Sequence, residues 1–430
     1  MENKIIFAYD RKQDDFFVPN GYFVKDNFYD DISQYTINTQ HEPIVHPMFR
    51  GLQQNQLLLD DVKDNFIYPI EQFGAIEKLI GQENGYENIN MFSNIGQETF
   101  DKIKSKNGKI VVFSFEESRV ELQSIVFLHT KLLEYNINEI YYITGNNWSI
   151  QNHYNVWCQH NNIKPKVIIL NSLEQLYLKG GDLYNKRGTF VELNEIESKR
   201  KKRFLCFNRR IRPHRYAMIA MFHHNNLLKD NLVSYSLERG KDLNHLGEQG
   251  PDLHTMNIIM GKTKLRDSYM SYYNELVNLS PMTIDYENLT NVMGPGCENK
   301  EPYLQTYFSI VTETSFPEQI YFSTEKIYRP MLHFHPFIVY GSPYTLKNLK
   351  ELGFKTFDGF IDESYDETLS PFKRMQKITK EVKRLCSMND TEIHNWYLGM
   401  KDTLIHNRNL MYEYGSKYEN HMLDLVGDIL

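Results

Sequence analysis

The sequence predicts an α/β protein of two domains, in which helices cover parallel sheets and the chain ends in helices. Three observations point to this class. Strand-like and helix-like runs alternate between residues 108 and 172, a second alternation runs from 204 to 359, and a charged segment at 197–203 (ESKRKKR) separates the two. Alternation at such short intervals is typical of βαβ units, which build parallel sheets.

The composition is that of a soluble globular protein with room for two or three domains. The 430 residues are 41% hydrophobic and 24% charged, and the net charge is −7, which argues against a generally basic nucleic-acid-binding protein. No window approaches the ~20 apolar residues of a membrane span, and the first residues do not have the pattern of a signal peptide. A cytoplasmic location is therefore expected. The four cysteines are widely spaced, so free thiols are expected and a zinc site is not.

The N-terminal elements follow from the periodicity of their apolar residues. KIIFAYD at 4–10 predicts a first buried strand, whereas residues 11–65 have no regular pattern. The next predicted elements alternate between strand and helix: strands at 108–118, 137–147 and 165–172, and helices at 119–136 and 149–162.

The second alternation begins with a strand at 204–210 and a helix at 213–228, which has Pro213 in its first turn. Residues 230–300 are polar, and their pattern predicts no element. The elements predicted after them are strands at 306–314, 336–342 and 354–359, helices at 323–334 and 344–353, and a largely helical stretch at 371–427.

A basic cluster stands where the strand at 204–210 ends and the next helix begins. The sequence FLCFNRRIRPHR places Asn208, Arg209, Arg212 and Arg215 there. Ligands bind at the carboxyl ends of strands in open α/β sheets. Backbone N–H groups at a helix start favour anions, and guanidinium groups add bidentate phosphate contacts. The pattern predicts a diphosphate site, with a solvated basic loop as the alternative.

The STEK sequence at 323–326 predicts a helix start that contains an unexplained lysine. Ser323 or Thr324 suits the N-cap, and the helix dipole favours Glu325 in the first turn. The same dipole disfavours Lys326 unless an anion lies beside it. We therefore expect Glu325 to accept hydrogen bonds from a ribose diol and Lys326 to meet a phosphate. The alternative is a surface ion pair between the two residues.

Two further stretches have weaker claims to a function. FDGFIDESYDE at 357–367 can line a cleft and touch sugar hydroxyls through Asp358 or Asp362, but such a segment is more often an ordered surface loop. His333 and His335 flank a phenylalanine at a helix-to-strand corner, and we expect them to pack or to cap rather than to bind a metal.

The segments YFSIVTETSF at 307–316 and YFSTEKIYRPMLHFHPFIVYGSP at 321–343 resemble the nucleotide-sugar signature of the fucosyltransferase-type (family 10) glycosyltransferases. That family shows F-x-x-x-F-E-N-S, then Y-V-T-E-K, an apolar helix and x-P-I-x-x-G-S. Here Ser309–Ser315 corresponds to the first block, with Glu313 on its Glu and Thr314 in place of its Asn. Residues 322–326 correspond to the second block, with Ser in place of Val, and 207–215 resembles the family's Ser-Asn…Arg segment.

The resemblance implies a GT-B-like architecture, in which two Rossmann-type domains face each other across a cleft and the C-terminus is helical. It implies an acceptor-binding domain at 1–197, a nucleotide-sugar-binding domain at 198–400 and a helical segment at 401–430. In such enzymes the matching Glu binds the ribose, and the matching Lys and Arg neutralise the diphosphate. The donor-binding residues predicted in this way are Asn208, Arg209, Arg212, Arg215, Glu313, Thr314, Ser323, Thr324, Glu325 and Lys326.

The activity that the resemblance implies is a metal-independent, inverting glycosyl transfer without a bound cofactor. A hexosyl, fucosyl or pentosyl group would move from a nucleoside-diphosphate sugar to a hydroxyl of a saccharide acceptor. The changed residues leave the sugar and the base of the donor open.

The sequence VVFSFEES at 111–118 supplies candidates for the general base of an inverting transfer. Such an enzyme needs a base to take the proton of the acceptor hydroxyl as it attacks the anomeric carbon. Glu117 falls on the Glu of the family pattern, a strand that ends in a Gly-Glu-Asn-like turn, and Glu116 lies one residue before it. Both can instead be solvent-facing acids that cap the next helix. Asp10, at the end of the first strand, is a further alternative.

Two other functions stay open on the sequence alone. The composition is rich in Asn, Ile, Lys and Tyr, which suggests the AT-rich genome of a phage, a large virus or a bacterium. Phage GT-B transferases act on hydroxymethylated bases in DNA, and the run Lys199–Arg203 could then meet the DNA backbone. The third possibility is a non-catalytic protein that binds a sugar nucleotide or a glycan.

Overall fold

The chain consists of two compact α/β units. The computed structural model describes residues 5–13, 16–18, 20, 55–73, 92, 95–115, 122–145, 150–185, 190–208, 212–235, 237, 251, 253–280, 284, 299–316 and 323–430. The first unit is Met1–Tyr177 with Lys417–Leu430, and the second is Leu178–Ser416. Each contains a parallel sheet, and the chain ends in helices, which confirms the predicted class. The predicted boundaries after residues 197 and 400 stay predictions.

The first unit is built on one parallel sheet and a short antiparallel hairpin. Its strands are β1 (Phe7–Tyr9), β2 (Arg11–Gln13), β3 (Phe16–Val18), β4 (Gln56–Leu58), β5 (Ile67–Phe73), β6 (Lys109–Phe115), β7 (Ile140–Thr144) and β8 (Val167–Asn171). Its helices are α1 (Gln97–Ser105), α2 (Leu122–Glu134) and α3 (Ile150–His160), followed by α4 (Glu174–Asn185), which runs on into the second unit. The parallel strands lie in the order β4-β1-β5-β6-β7-β8, and β2 pairs with β3.

Helical spacing explains how this first sheet is covered. In α2 the residues Ile125, Leu128 and Leu132 recur at three and four positions, which puts them on one face of the helix. All three are 0% exposed and belong to the same core as Val112 of β6 and Tyr142 of β7. The apolar face of α2 is therefore buried against the sheet.

The second unit has a smaller parallel sheet and more helix. Its strands are β9 (Lys202–Asn208), β10 (Leu232–Tyr235), β11 (Thr306–Thr312) and β12 (Phe337–Tyr340), in the order β10-β9-β11-β12. Its helices are α5 (Pro213–His224), α6 (Leu253–Met260), α7 (Lys264–Ser271), α8 (Tyr273–Leu279), α9 (Glu301–Gln305), α10 (Glu325–Leu332), α11 (Thr345–Glu351), α12 (Pro371–Ser387), α13 (Asp390–Gly399) and α14 (Lys401–Ser416). The last helix of the chain, α15 (Tyr418–Gly427), belongs to the first unit.

The strand predicted at 354–359 is wrong. Phe354 and Phe357 are buried, but residues 354–357 have no regular secondary structure, and the turn that follows makes one isolated bridge, from Asp358 to Ile361. Glu363 holds this turn by accepting the backbone N–H of Phe357 at 2.7 Å. The buried aromatic residues therefore pack without a strand ladder.

The structure also contains strands and helices in regions where the sequence pattern predicts none. The edge strand β4 has only three residues with a half-exposed pattern, which is too short for a period-2 signal. Within 230–300, β10 has only four residues and α7 is polar, with only Tyr269 buried. In both regions the packing of neighbouring elements decides the structure.

The two central histidines serve the core, as the sequence predicts. His335 hydrogen-bonds to Ser309 Oγ through Nδ1 and to the Thr306 carbonyl through Nε2, each at 2.7 Å. Burial lowers the pKa of His335 to about 3, so its ring is neutral. His333 stacks on Tyr303 with 3.9 Å between the ring centroids.

Cys158, Cys206 and Cys386 are free thiols, in agreement with the expectation, and Cys297 lies outside the described residues. Among the helices that the structure describes, none has the length and apolar character needed to cross a membrane.

Within the second unit, α4 and α14 cross with their backbones in contact. The crossing occurs at Gly180 and Gly415, both of which are buried. A Cβ added to Gly415 would overlap the carbonyl group of Gly180 and would lie 2.9 Å from the backbone nitrogen of Gly181. Backbone atoms cannot rotate away as a flexible side chain can. Only glycine therefore fits this crossing.

We predict that Gly415→Ala costs about 1–3 kcal/mol of unfolding free energy, or more, because the new methyl group overpacks a backbone contact. Gly427→Ala is the matched control, since nothing lies within 4 Å of a Cβ at that helical position, and alanine is the better helix former. Urea denaturation of both variants measures the difference. Equal stability of the two variants would contradict the close crossing.

Candidate functional site

In the sheet of the second unit, the strand order reverses direction between β9 and β11. The chain goes from β9 to β10 on one side and from β11 to β12 on the other. In open α/β sheets, ligands bind at such a switch point, at the carboxyl ends of the strands. Here β9 ends at Asn208 and β11 at Thr312, and the Thr312 hydroxyl donates to Asn208 Oδ1 at 2.6 Å. These two strand ends define the candidate site.

The first turn of α5 is fastened to the end of β11. Arg212 donates to the carbonyl of Thr314 at 2.9 Å, and His214 Nε2 lies 2.9 Å from the carbonyl of Glu313. Arg215 donates to the carbonyls of Thr312 and Glu313, each at 3.3 Å. Arg212 is the N-cap residue, and its side chain makes no capping hydrogen bond. Arg212, His214 and Arg215 are therefore an ordered part of the strand end and not a solvated loop.

The Glu313 carboxylate fastens a second helix start to the same strand end. Its Oε1 accepts the backbone N–H of Thr324 at 3.1 Å, and its Oε2 accepts the Thr324 hydroxyl at 2.7 Å. Oε2 also accepts the N–H of Thr314 at 3.2 Å. Glu313 is 0% exposed. Burial raises its pKa, although nearby Lys326 and the Thr324 donors act in the opposite direction.

Gly341 makes room for this buried acid. A Cβ at position 341 would lie 3.2 Å from Glu313 Cβ and 3.1 Å from a Val339 methyl group. Such contacts are tighter than most Cβ contacts in proteins, so a larger residue would push Glu313 or Val339 by a few tenths of an ångström. The glycine of FIVYGSP therefore suits the close approach of Glu313 to the end of β12.

Thr324 links the buried acid to the exposed part of the site. As the N-cap of α10, its hydroxyl accepts the Lys326 N–H at 3.4 Å, as well as donating to Glu313. Lys326 Nζ also donates to this hydroxyl at 3.1 Å. The neighbouring Ser323 Oγ lies 3.1 Å from the hydroxyl of Tyr328. The predicted N-cap is thereby confirmed as Thr324.

Glu325 and Lys326 form an ion pair that is mostly buried. Lys326 Nζ lies 3.0 Å from Glu325 Oε1, and the two side chains are 23% and 26% exposed, for Lys326 and Glu325 respectively. Burial alone would raise the pKa of Glu325, but Lys326 and Arg329 outweigh burial and hold that pKa below its ordinary value. The carboxylate is therefore ionised. The pair supplies the counter-charge that Lys326 needs at a helix start, and it is not a solvated surface pair.

Two buried hydroxyl groups close to this edge lack partners. Among the described residues, Tyr340 Oη at the end of β12 and Ser342 Oγ just beyond it have no hydrogen-bond partner. Buried polar atoms are nearly always hydrogen-bonded in folded proteins, to protein, water or ligand.

A small cavity lies beside the helix start. Its volume is about 30 Å³, and Thr312, Lys326 and Arg329 are among its lining residues. Arg329 Nε is buried and has no hydrogen-bond partner among the described residues. The cavity has room for water but not for a nucleotide, so a nucleotide would have to lie on the strand-end surface.

The structure thus gathers most of the predicted donor-binding residues around two strand ends. Those gathered are Asn208, Arg212, Arg215, Glu313, Thr314, Ser323, Thr324, Glu325 and Lys326. Arg209, Glu116 and Glu117 lie outside the described residues. The sequence placed His214 in the basic stretch and Gly341 and Ser342 in the family's Gly-Ser pattern, but the predicted donor-binding residues included none of them and also missed Tyr340.

No metal site accompanies this cluster in the described part of the chain, where no three His, Cys, Asp or Glu side chains come together as ligands. Asp358 and Asp362 accept local backbone N–H groups, from Gly359 at 3.0 Å and Ser364 at 3.1 Å. Those contacts are typical of an ordered surface loop.

Comparison with known proteins gives distant structural likenesses. No protein-family model matches the sequence, and no curated protein matches it. The apo structure of OtsA is similar with a TM-score of 0.36 and 10% identity, over 84% of this chain and 74% of that chain. An α,α-trehalose-phosphate synthase (UDP-forming) from Burkholderia vietnamiensis has a TM-score of 0.38 and 10% identity, over 81% of each chain. At such TM-scores the likeness carries no conclusion, and the α/β class follows from this chain's own parallel sheets.

We predict that Glu313→Gln destabilises the fold by about 1–3 kcal/mol, because an amide NH₂ would face backbone or hydroxyl donors that the carboxylate accepts. Glu351→Gln is the matched control, since Glu351 is an exposed residue at the end of α11. Denaturant unfolding at pH 7 compares the two. If Glu313→Gln proves as stable as its control, the buried carboxylate does not organise the strand end.

Proposed function

We propose that this chain is a glycosyltransferase that uses a nucleoside-diphosphate sugar and binds its diphosphate at the ends of β9 and β11. The observation that carries the proposal is the meeting of two helix starts at Glu313. The starts of α5 and α10 both contact this residue, and they bring Arg212, Arg215 and Lys326 with them. Helix N-termini and fixed cations favour an anion and stabilise a departing nucleoside diphosphate.

The Glu325–Lys326 pair suits a ribose next to a diphosphate. With the pair closed, Lys326 Nζ is held between Glu325 and Thr324. When a phosphate takes the ammonium group, the Glu325 carboxylate becomes available to accept both hydroxyls of a ribose diol. This exchange replaces one charge-assisted set of contacts by another of similar strength. Glu325 then binds the ribose, and Lys326 with the arginines neutralises the diphosphate.

The finer parts of the proposal come from the resemblance to the fucosyltransferase-type family. They are an inverting transfer of a hexosyl, fucosyl or pentosyl group to a saccharide hydroxyl, a GT-B arrangement with the acceptor bound by the N-terminal domain, and no need for a metal. The fixed cations support the last part, since they supply the charge that a metal would otherwise provide.

The DNA-modifying alternative would use the basic run at 199–203, in which the two arginines have partners within the fold and Lys199 and Lys201 are exposed. Arg200 is 5% exposed and donates to the Tyr397 hydroxyl at 2.7 Å. Arg203 donates to Asp390 and to the carbonyl of Met388, each at 2.9 Å. These two arginines therefore have partners within the protein, as Arg212 and Arg215 also do.

A thermal-shift panel tests the donor site directly. We predict that one nucleoside diphosphate, or its sugar derivative, raises the Tm, since a ligand at 100 times its Kd stabilises the folded state by about 2.7 kcal/mol. The panel contains UDP, GDP, ADP, CDP and dTDP and their common sugar derivatives at equal concentration. If no nucleotide raises the Tm, the donor site is wrong. Binding without sugar transfer or hydrolysis would favour the non-catalytic alternative.

We predict that Lys326→Ala and Glu325→Ala each weaken nucleotide binding by about tenfold or more, because each removes a charge-assisted contact. Lys383→Ala is the control, since Lys383 is an exposed lysine of α12. The ligand-free Tm should stay close to that of the unaltered protein, and only the nucleotide-dependent shift should shrink. Global unfolding of both variants would instead mean that the ion pair serves the fold.

A further inference from the structure

The first unit has a switch point of its own, between β1 and β5. From β1 the chain goes to β4 on one side, and β5, β6, β7 and β8 then follow on the other side. This is the same topological position that the donor residues occupy in the second unit, and it is the general ligand position of open α/β sheets. Asp10 directly follows β1 at this point.

A proline breaks the ladder between the two strands there. The β1–β5 pairing is limited to Phe7 with Ile67, and Ile67 N–H donates to the Ile6 carbonyl at 2.9 Å. Pro69, two residues on, has no N–H to donate to its neighbour strand. The side chain of Asn20 takes its place and donates to the carbonyls of Ala8 at 3.0 Å and Pro69 at 2.9 Å.

The same amide fixes the backbone of Asp10. Asn20 Oδ1 accepts the Asp10 N–H at 3.0 Å, and Asn20 is only 2% exposed. A buried amide that satisfies two strand carbonyls and one N–H holds three groups in one geometry. The strand separation at the switch point is therefore built into the fold, and Asp10 is held at its rim.

The buried phenol of Tyr68 fixes the orientation of the Asp10 side chain. The Tyr68 hydroxyl donates to Asp10 Oδ2, and Tyr68 is 0% exposed. Burial and the charge of Asp10 keep the pKa of Tyr68 well above its ordinary value, so the phenol remains a donor. Asp10 itself is partly exposed. The result is a partly accessible acid whose orientation a third group fixes, as in an oriented catalytic base.

We propose that Asp10 is the general base that receives the proton of the acceptor hydroxyl, an assignment that rests on the proposed function. The hydroxyl oxygen forms a bond to the anomeric carbon as its O–H bond breaks and the proton passes to the Asp10 carboxylate. The bond from the anomeric carbon to the diphosphate oxygen breaks, and the nucleoside diphosphate leaves with the electron pair. Asp10 then releases the proton to solvent. The acceptor hydroxyl binds at the carboxyl end of β1.

Glu117 and Glu116, predicted for the same role, follow β6, which ends at Phe115. Only β5 separates β1 from β6, and strands are spaced about 4.8 Å apart, so the ends of β1 and β6 are about 10 Å apart on one edge. Glu116 and Glu117 themselves lie outside the described residues, and substitution can tell the candidates apart.

The decisive variant is Asp10→Asn, assayed for release of nucleoside diphosphate from UDP-glucose, UDP-galactose, GDP-fucose and GDP-mannose with a panel of methyl glycosides. Loss of a general base is expected to lower kcat by about 10²–10⁴-fold, while the nucleotide-dependent Tm shift keeps its size. The matched control, Asp61→Asn, removes an exposed acid of the same unit and should retain the full rate.

Tyr68→Phe tests the positioning of the base. The variant is expected to lower kcat and to move the acidic limb of the pH–rate profile to higher pH, because a carboxylate that loses a hydrogen-bond donor is protonated more readily. A purely structural tyrosine would change the Tm and leave that limb in place. This variant also decides the matter if Asp10→Asn does not fold.

Three results would overturn the assignment. The first is a kcat for Asp10→Asn within about threefold of the unaltered protein, all the more if Glu117→Gln is inactive. The second is an unmoved acidic limb in Tyr68→Phe. The third is an unaltered protein that shows neither a nucleotide-dependent Tm shift nor nucleoside diphosphate release, and this result alone overturns the proposed function as well.

Discussion

The site of the second unit depends on one buried carboxylate. Glu313 receives hydrogen bonds on its side chain from Thr324 and Thr314 and on its carbonyl from Arg215 and His214. Burying an acid without partners would cost several kcal/mol, so these donors are a condition of the fold. They are also what connects the starts of two helices to the end of β11. The carboxylate joins the start of α10 to the strand end, and the backbone carbonyl of the same residue joins the start of α5 to it.

These contacts give the charged residues of the site different structural roles. Both carboxylate oxygens of Glu313 already accept protein donors, and the residue is fully buried. Glu313 therefore fixes the positions of the surrounding residues and does not face a ligand. Glu325 and Lys326 are a quarter exposed and form an ion pair with each other, so both side chains are accessible from the surface. Thr324 connects the buried Glu313 to the Glu325–Lys326 pair, because its hydroxyl donates to Glu313 and accepts from Lys326. A nucleotide would thus meet a surface whose geometry is set beforehand.

Local signals predicted the local parts of this arrangement. The N-cap of α10 and the helix start at Pro213 depend on neighbours in the sequence, and both lie as predicted. The burial of Glu313 depends on Gly341 leaving space at another strand, and no pattern within either segment contains that information. The strand predicted at 354–359 is wrong for a related reason: the spacing of apolar residues indicates burial, but it does not indicate whether the backbone pairs with another strand. Strand order, which places the site at β9 and β11, is likewise a property of the whole sheet.

The two units place opposite chemistry at equivalent points of their sheets. In each, the strand order reverses beside the first strand of the sheet, and polar residues follow that strand. In the second unit the result is Arg212 and Arg215 on fixed carbonyls, and in the first it is Asp10, held by Asn20 and Tyr68. A transfer from a nucleotide sugar requires a cationic site for the leaving group and a base for the nucleophile. Under the proposed function, the basic strand end of the second unit would meet the leaving group and Asp10 would meet the nucleophile, so each sheet would supply one of the two requirements.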